Sequence, residues 1–521
     1  MKKFSLTMMA LAMVLTLSQC KKQEQTNSIE ADGETVSIVL DVRDHGTRCD
    51  VNTETGVVSF QQNDVVLVGS GGKYVGTLTC RGDRFMGDIV SPTENEPLKF
   101  FFLGNRATTE TLTAGTSASC TVNISNQKDI TKRPVISFAL STENYSPATS
   151  TYHAFFENRA ALVKFNVYGA SSTVGTVITG VNNQVTVNFN ATDSSEDPIY
   201  SYSEAGGDGN IILPAGNGEK WAILLPQDAL SASSSDNTLH SEDGMFHGCR
   251  PAIPAINANG YLFQGIDINL HPKGATAGKF TVNTSGDQVY FSNGNLQYIG
   301  SATTPYWRFA NHQYDYLGTT TGQNSAATNV DRDLFGWGAS GDPYMPYLTS
   351  TSSSDYPTNE TDFTDWGNNT IQGVGTGWRT LTGDEWNYVI NERTGIRYEK
   401  VSIHVDANND IPGIILFPDN WNTSIYSPTN PNTYTADAGG VITLGIWNDC
   451  EASGAIFLPA AGHRSGIVYY DYSEASSDYW SSTISSENNK MSIRLSFQNS
   501  LIIMHTWANN GFSVRLVKDV E

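Results

Sequence analysis

The sequence Tyr479-Trp-Ser-Ser-Thr483, followed by Gly511-Phe-Ser-Val-Arg-Leu516, closes a series of aromatic and glycine motifs within residues 273–521. Earlier members of the series are Tyr306-Trp-Arg-Phe309, Leu334-Phe-Gly-Trp-Gly338, Trp378-Arg-Thr-Leu-Thr382 and Phe457-Leu-Pro-Ala-Ala-Gly-His-Arg464. Aromatic side chains supply a large apolar area per residue to a core. We therefore predict that residues 273–521 fold as one unit around these aromatic residues.

Local patterns in this unit predict two helices and a terminal sheet. Thr382-Gly-Asp-Glu385 is a capping box, which predicts a helix over residues 383–394 that stops at Gly395. A second helix is predicted over residues 446–453, before Gly454. Apolar and polar residues alternate over residues 491–498, and Phe512, Val514 and Leu516 repeat that alternation, as in strands with one buried face.

These motifs resemble the C-type lectin-like fold, in its formylglycine-generating-enzyme-like branch and in the variable proteins of bacterial retroelements. The resemblance implies an α+β domain whose terminal strands pair with its first strands, at residues 279–282 and 288–291. It also implies a binding surface in the loops and polar strand faces near the end of the chain. The predicted ligand-binding residues are Tyr469, Tyr470, Tyr472, Ser486, Asn488, Asn489, Gln498, Asn499, His505, Trp507, Asn509 and Asn510. Whether a retroelement diversifies this segment is left open.

The same unit offers little for catalysis or metal binding. Its single cysteine, Cys450, does not provide the cysteine site of formylglycine-generating enzymes, so we predict that the protein is not an enzyme and uses no cofactor. Asp and Asn oxygens at residues 331–333 and 406–410 leave calcium open, although neither group is a full ligand set. The scattered cysteines Cys49, Cys80, Cys120, Cys249 and Cys450 lack zinc-site spacing. Most are expected to be buried thiols, with a Cys80–Cys120 disulfide as the alternative.

Residues 34–270 read as β structure throughout. Short alternating runs such as residues 36–42, 65–68, 98–103, 163–168 and 185–190 are separated by Gly, Asn, Asp and Ser. Such spacing predicts antiparallel β-sandwiches. Boundaries are predicted at the Ser/Thr/Pro stretch before residue 151 and at the Pro/Gly linker that begins at His271.

The order of features in this part resembles the bacterial fimbrillins, the subunits of type V pili. A lipid signal, a first strand, the Gln62-Asn-Asp-Val-Val-Leu-Val68 strand and a later His/Ala segment follow one another as in that family. The resemblance implies cleavage after an arginine, here Arg48 or alternatively Arg43, which releases the first strand. It further implies that a strand from another pilus subunit then fills the groove.

The first residues read as a bacterial lipoprotein signal. Lys2 and Lys3 precede an apolar run over residues 6–17 and then Cys20, where cleavage and acylation, for example with palmitate, are expected. Only 16% of the residues are charged, and 53 acidic residues outnumber 31 basic ones, for a net charge of −22. A surface of that sign repels phosphate backbones, which argues against nucleic acid as a partner.

The sequence thus predicts a mainly β protein: two antiparallel β-sandwich (fimbrillin or transthyretin-like) domains and a C-terminal α+β C-type lectin-like domain. The predicted segments are a signal peptide (1–19), a lipidated linker (20–33), β domains (34–150 and 151–270) and the lectin-like domain (273–521). The predicted function is a lipidated adhesin at the outer membrane or cell surface, at a pilus tip, that binds a surface protein or glycan. The alternatives are a ligand-capture lipoprotein for polysaccharide uptake and a formylglycine-generating-type enzyme.

Overall fold

The computed structural model describes residues 34–42, 60–128, 136–192, 199–204, 209–258, 261–318, 322–407, 409–434, 439–470, 476–484, 490–496 and 500–520. Across these residues the protein is mainly β, as the alternating sequence runs predict. No helix among them is long and apolar enough to cross a membrane. The predicted lipidation site Cys20 and the predicted cleavage sites Arg43 and Arg48 lie outside the described residues.

The first part of the described chain forms a sheet that closes on itself. Its strands are β1 (Thr35–Val42), β2 (Val65–Ser70), β3 (Lys73–Arg81), β4 (Arg84–Val90), β5 (Pro97–Phe102), β6 (Ser119–Asn123), β7 (Ser137–Asn144), β8 (Thr151–Ala154) and β9 (Glu157–Asn158). All except β6 join one sheet in the order β5-β2-β3-β4-β1-β8-β7-β9, and β5 also pairs with β7. The closure and the parallel β1–β8 pair are departures from a purely antiparallel sandwich.

Ten further strands follow. They are β10 (Ala161–Tyr168), β11 (Thr176–Thr179), β12 (Gln184–Asn188), β13 (Tyr200–Ser203), β14 (Asn210–Leu213), β15 (Gly218–Leu224), β16 (Leu239–Ser241), β17 (Phe246–Gly248), β18 (Tyr261–Asn269) and β19 (His271–Pro272). They form the sheets β15-β10-β18, β14-β11-β16-β17-β19 and β13-β12-β6. Because β6 pairs with β12, and β8 and β9 complete the first sheet, residues on both sides of position 150 share sheets and one core.

The remaining strands and helices form smaller sheets around three apolar clusters. The strands are β20 (Ala275–Thr281), β21 (Gln288–Ser292), β22 (Leu296–Ile299), β23 (Tyr306–Phe309), β24 (Arg379–Thr380), β25 (Tyr398–Asp406), β26 (Asn409–Leu416), β27 (Gly440–Thr443), β28 (Ile456–Pro459), β29 (His463–Ser465), β30 (Val468–Tyr470), β31 (Ser476–Ile484), β32 (Lys490–Ser496), β33 (Ser500–Thr506), β34 (Asn510–Gly511) and β35 (Leu516–Asp519). The helices are α1 (Gly383–Asn387), which continues as a π-helical turn over Tyr388–Glu392, and α2 (Leu444–Ala452), with 3-10 turns at Ser353–Asp355, Glu360–Asp362 and Trp366–Asn368.

Both predicted helices are present. The Thr382 hydroxyl accepts a hydrogen bond from the Glu385 amide at 3.1 Å, and the Glu385 carboxylate accepts one from the Thr382 amide at 2.8 Å. This capping box begins α1, whose Trp386 is fully buried. The second helix begins two residues earlier than predicted, because Thr443 caps it. After α2, Gly454 has a φ of +89°, and its backbone lies against the backbone of Gly278. A Cβ atom on either residue would clash with the other.

The chain's last strand pairs with one of the first strands of this part, as predicted. In the sheet β20-β21-β35-β24, Tyr290 lies opposite Lys518 and Phe291 opposite Val517. The alternation predicted before β35 is wrong for the polar positions, because Ser513 and Arg515 are as buried as Phe512 and Val514. Arg515 donates hydrogen bonds to Gln313 and Asn295, so a second layer covers the face that was predicted to be polar and exposed.

Two other expectations are corrected or confirmed by the described residues. The segment at His271 that was predicted as a linker forms β19, which pairs with β17 and leads directly into β20.

Cys80 and Cys120 are both buried and free, so the alternative of a disulfide between them is wrong. Cys450 is also a buried thiol, as expected for most of these cysteines.

Candidate functional site

An exposed apolar surface lies on the three-stranded sheet β30-β29-β34. Ile467 and Val468, at the tip of the β29–β30 hairpin, are 57% and 50% exposed, and Tyr470 on β30 is 38% exposed. Trp507, just before β34, is 63% exposed, the highest fraction among the large apolar side chains in the described part of the chain. We call Ile467, Val468, Tyr470 and Trp507 the hairpin surface.

The hairpin is fixed from below by a buried arginine. The Arg464 guanidinium is fully buried and donates to the carbonyl oxygens of Gly466 and Leu348 at 3.0 Å each, and to that of Leu334 at 3.3 Å. Burial lowers the pKa of Arg464 from its ordinary value. Because three carbonyl groups accept from this one side chain, strand β29, which pairs with β30, has a defined position.

Trp507 stands on a turn that is tied to the same hairpin. The Asn510 amide donates to the Trp507 carbonyl at 3.1 Å, and the Asn510 side chain donates to the Thr506 hydroxyl at 2.7 Å. The Gly466 amide donates to the Asn509 carbonyl at 3.2 Å, and Ser353 donates to the Asn509 side chain at 2.8 Å. The exposed indole is therefore held on a scaffold next to the hairpin tip.

The structure places the predicted ligand-binding residues in three groups. Tyr470, His505 and Trp507 are exposed. Tyr469, Asn509 and Asn510 are half-buried, and their polar groups make internal hydrogen bonds, such as Tyr469 to the Ala461 carbonyl at 3.1 Å. Tyr472, Ser486, Asn488, Asn489, Gln498 and Asn499 lie outside the described residues. The sequence reasoning missed Ile467 and Val468, because β-branched residues in a short strand pattern ordinarily predict a buried position.

The oxygen groups considered for calcium are used in other ways. Asp333 is buried, and its carboxylate accepts a hydrogen bond from the Leu317 amide at 2.6 Å. Asp331 accepts one from the Ser301 amide at 2.9 Å. Asp410, in the β25–β26 hairpin, contacts His404 at 2.6 Å. Among the described residues, the ligating side chains that meet as a group of three are instead Asp236, His247 and His271.

The one cysteine of the C-terminal part is chemically quiet. Cys450 lies on α2, fully buried among Trp447 and Phe457. Burial raises the pKa of its thiol to about 12, and the nearby carboxylates of Asp449 and Glu399 act in the same direction. A thiol with so high a pKa forms little of the nucleophilic or metal-ligating thiolate at neutral pH.

No protein-family model matches the chain, and no curated protein matches it. Solved structures with some similarity include a Bacteroides thetaiotaomicron protein provisionally assigned to cell adhesion, at 12% identity and TM-score 0.27, covering 46% of this chain and 94% of that one. The fimbrial anchor protein Mfa2 of Porphyromonas gingivalis is 11% identical, at TM-score 0.23, and the match covers 40% of this chain and 78% of Mfa2. A fimbrial protein of Bacteroides ovatus is 12% identical, at TM-score 0.20, and the match covers 92% of this chain and 99% of that protein. At these scores the likeness carries no argument about function.

Proposed function

We propose that the chain is a cell-surface adhesin that binds a protein ligand through the hairpin surface. The observation that carries this proposal is the exposure of four large apolar side chains on strand β30, on its hairpin turn and just before strand β34. Tryptophan and tyrosine are enriched among the residues that dominate binding energy at protein interfaces. The aliphatic side chains of Ile467 and Val468 favour a protein partner over a glycan, because they add apolar area and no hydrogen-bonding groups.

The C-terminal part is proposed to be a C-type lectin-like domain that presents this surface. In support, its last strand β35 pairs with β21 near its beginning, and two short helices pack buried tryptophans against its sheets. Much of its sequence lies in loops between short strands, and loops on a rigid scaffold are where binding residues concentrate.

Assembly into a pilus is proposed to proceed by strand addition at the position of β1. This strand pairs antiparallel with β4 and parallel with β8, and its Ile38 and Leu40 are buried in the first core. Release of β1 after cleavage at Arg48, or at Arg43, would leave two unpaired strand edges and an apolar groove. A strand from another subunit offers the backbone hydrogen bonds and side chains that fill such a groove. Acylation at Cys20 is proposed to anchor the precursor in the outer membrane.

The binding proposal is tested by probing arrays of surface proteins and of glycans with the full chain and with the Trp507→Ala and Val468→Ser variants. Val441→Ser on β27 is the matched control, because Val441 is 61% exposed and belongs to a different sheet. We expect protein ligands whose binding weakens about 30-fold in Trp507→Ala, since a hot-spot truncation costs about 2 kcal/mol or more. Binding confined to glycans, or equal loss in Val441→Ser, would contradict the proposal.

A further inference from the structure

Three histidines occupy matching positions on adjacent strands of the sheet β14-β11-β16-β17-β19. His240 on β16 lies opposite His247 on β17, and His247 lies opposite His271 on β19. Directly opposite residues of antiparallel strands point to the same face of a sheet, with close Cβ atoms. The ring centroids of His247 and His271 are accordingly 4.8 Å apart.

A carboxylate lies between two of these imidazoles. Asp236, which precedes β16, places Oδ2 at 3.0 Å from His247 Nδ1 and Oδ1 at 3.2 Å from His271 Nε2. The ligand atoms of the three residues all lie within 4.8 Å of one another. Nitrogen and oxygen ligands at about 2.0–2.2 Å from a zinc ion lie roughly 3–3.5 Å from each other in tetrahedral geometry. The separations to Asp236 fall in that range.

The surroundings of His271 favour a ligating role for its Nε2 atom. Its other ring nitrogen, Nδ1, lies 3.3 Å from the carbonyl oxygen of Pro272. An Nδ1–H that donates to this carbonyl leaves Nε2 as the lone-pair atom that faces Asp236, which is the arrangement that orients metal-bound histidines. A neutral His271 that donates to Pro272 in this way has no second proton for Asp236. In this tautomer the lone pair and the carboxylate face each other, as two ligands of one cation do, whereas in the other tautomer Nε2–H donates to Asp236.

The cluster also borders an open cavity of about 700 Å³. Asp236, Cys249 and His271 line this cavity together with Lys279, Asp419 and Ser453 from the C-terminal part. An ion held by three protein ligands would keep a fourth coordination position, which water or a ligand atom can occupy.

From this geometry we propose that Asp236, His247 and His271 bind a divalent first-row transition metal ion, with Zn²⁺ as the reference ion. Imidazole nitrogen together with one carboxylate is a donor set that suits such ions better than calcium or magnesium. The ion would connect β17, β19 and the segment before β16. Because β19 leads directly into β20, it would fix the junction between the histidine sheet and the C-terminal part. This inference does not depend on the proposed adhesin function.

The test uses the untagged, chelator-treated full chain. Calorimetric titration with Zn²⁺ is expected to show one equivalent bound, and Co²⁺ in its place is expected to give visible d–d absorption of a low-coordinate site. His271→Ala and Asp236→Asn should each weaken Zn²⁺ binding by at least about 10–100-fold. Loss of a residue that only hydrogen-bonds to a metal ligand already lowers metal affinity by about that factor. His240→Ala is the matched control, since His240 lies in the same row of histidines outside the cluster, and it should bind as the parent chain does.

Thermal unfolding provides a second measurement that also covers variants with impaired folding. Zn²⁺ should raise the melting temperature of the parent chain and of His240→Ala, because a ligand that binds the folded state stabilises it by mass action. Zn²⁺ should not change the melting temperature of Asp236→Asn. The proposal is overturned if the parent chain gives no Co²⁺ spectrum, or if His240→Ala loses as much affinity as His271→Ala.

Discussion

At the scale of single residues, the C-terminal part is unusual in burying whole guanidinium groups. Arg332, Arg464 and Arg515 are almost fully buried, and burial lowers the pKa of Arg332 and of Arg515 to about 10. Arg332 donates to the carbonyl oxygens of Gln323 and Ala327, much as Arg464 serves three carbonyl groups beneath the hairpin surface. Arg332 and Arg464 thereby organise loop backbone, because a planar guanidinium offers five donors in a fixed geometry, whereas Arg515 binds the side chains of Gln313 and Asn295.

The protonation of Asp333 couples pH to the stability of the fold. Burial raises the pKa of Asp333 to about 6, and its Oδ1 atom is buried without a hydrogen-bond partner among the described residues. The folded-state pKa is above the ordinary value of 3.8, so the folded chain binds more protons between about pH 4 and pH 6. The stability that Asp333 contributes is therefore present below pH 4 and is lost as pH rises through 6.

We expect Asp333→Asn to reduce this loss of stability between pH 4 and pH 8 by about 2 kcal/mol, at about 1.4 kcal/mol per pKa unit. Urea unfolding at several pH values measures this free-energy difference. Tryptophan fluorescence is the readout, because nine of the ten tryptophans lie after residue 273. Asp331→Asn is the matched control. An identical pH dependence in Asp333→Asn and the parent chain would show that Asp333 does not titrate in this window.

The cap of α1 gives a second prediction at this scale. Thr382→Ala removes the hydroxyl that accepts from the Glu385 amide, and we expect a loss of about 0.5–2 kcal/mol in the stability of the C-terminal part. Glu385 stays in place in this variant, because Arg379 holds its carboxylate through two hydrogen bonds of 2.8 Å. Thr382→Ser keeps the hydroxyl and should restore the parent melting temperature. An unchanged melting temperature in Thr382→Ala would count against the capping role.

At the scale of elements, structure that depends on residues close in sequence was predictable, whereas burial by distant segments was not. The capping box predicted α1 because its two hydrogen bonds join residues three apart. The alternation before β35 failed at Arg515 because its partners, Gln313 and Asn295, come from segments about 200 residues away, which a local pattern does not report. The exposure of Trp507 was predicted, whereas that of Ile467 and Val468 depends on the lack of a covering segment among the described residues. The Asp236 cluster depends on strand register, which sequence spacing leaves open.

The position of β1 leads to a prediction about strand exchange. A chain that begins after Arg48 lacks β1, and we expect it to bind a labelled peptide of residues 34–48 that re-forms pairs with β4 and β8. A peptide with Leu40→Asp should not bind, because Leu40 is fully buried in the core. Fluorescence anisotropy measures both, with the full chain as control. Equal peptide binding by the full chain would mean that the groove is not the acceptor.

At the scale of the whole molecule, folding and binding are assigned to different tryptophans. Trp480 is fully buried, donates to the Phe335 carbonyl at 2.6 Å and lies 4.4 Å from the Phe512 ring between centroids. Trp507 lies in the same terminal segment but exposes most of its side chain on the hairpin surface.

The two roles predict opposite consequences for the same substitution. Trp480→Ala should destabilise the C-terminal part by roughly 3–5 kcal/mol, because it removes a large buried side chain, leaves a cavity and takes away the indole hydrogen bond to the Phe335 carbonyl. Trp507→Ala should change stability by no more than about 0.5 kcal/mol, as for an exposed site, and should weaken ligand binding. Thermal unfolding of the two variants beside Trp386→Ala and Val441→Ser, a buried and an exposed control, separates these effects. Comparable destabilisation by Trp507→Ala and Trp480→Ala would place Trp507 in the core and remove the centre of the hairpin surface.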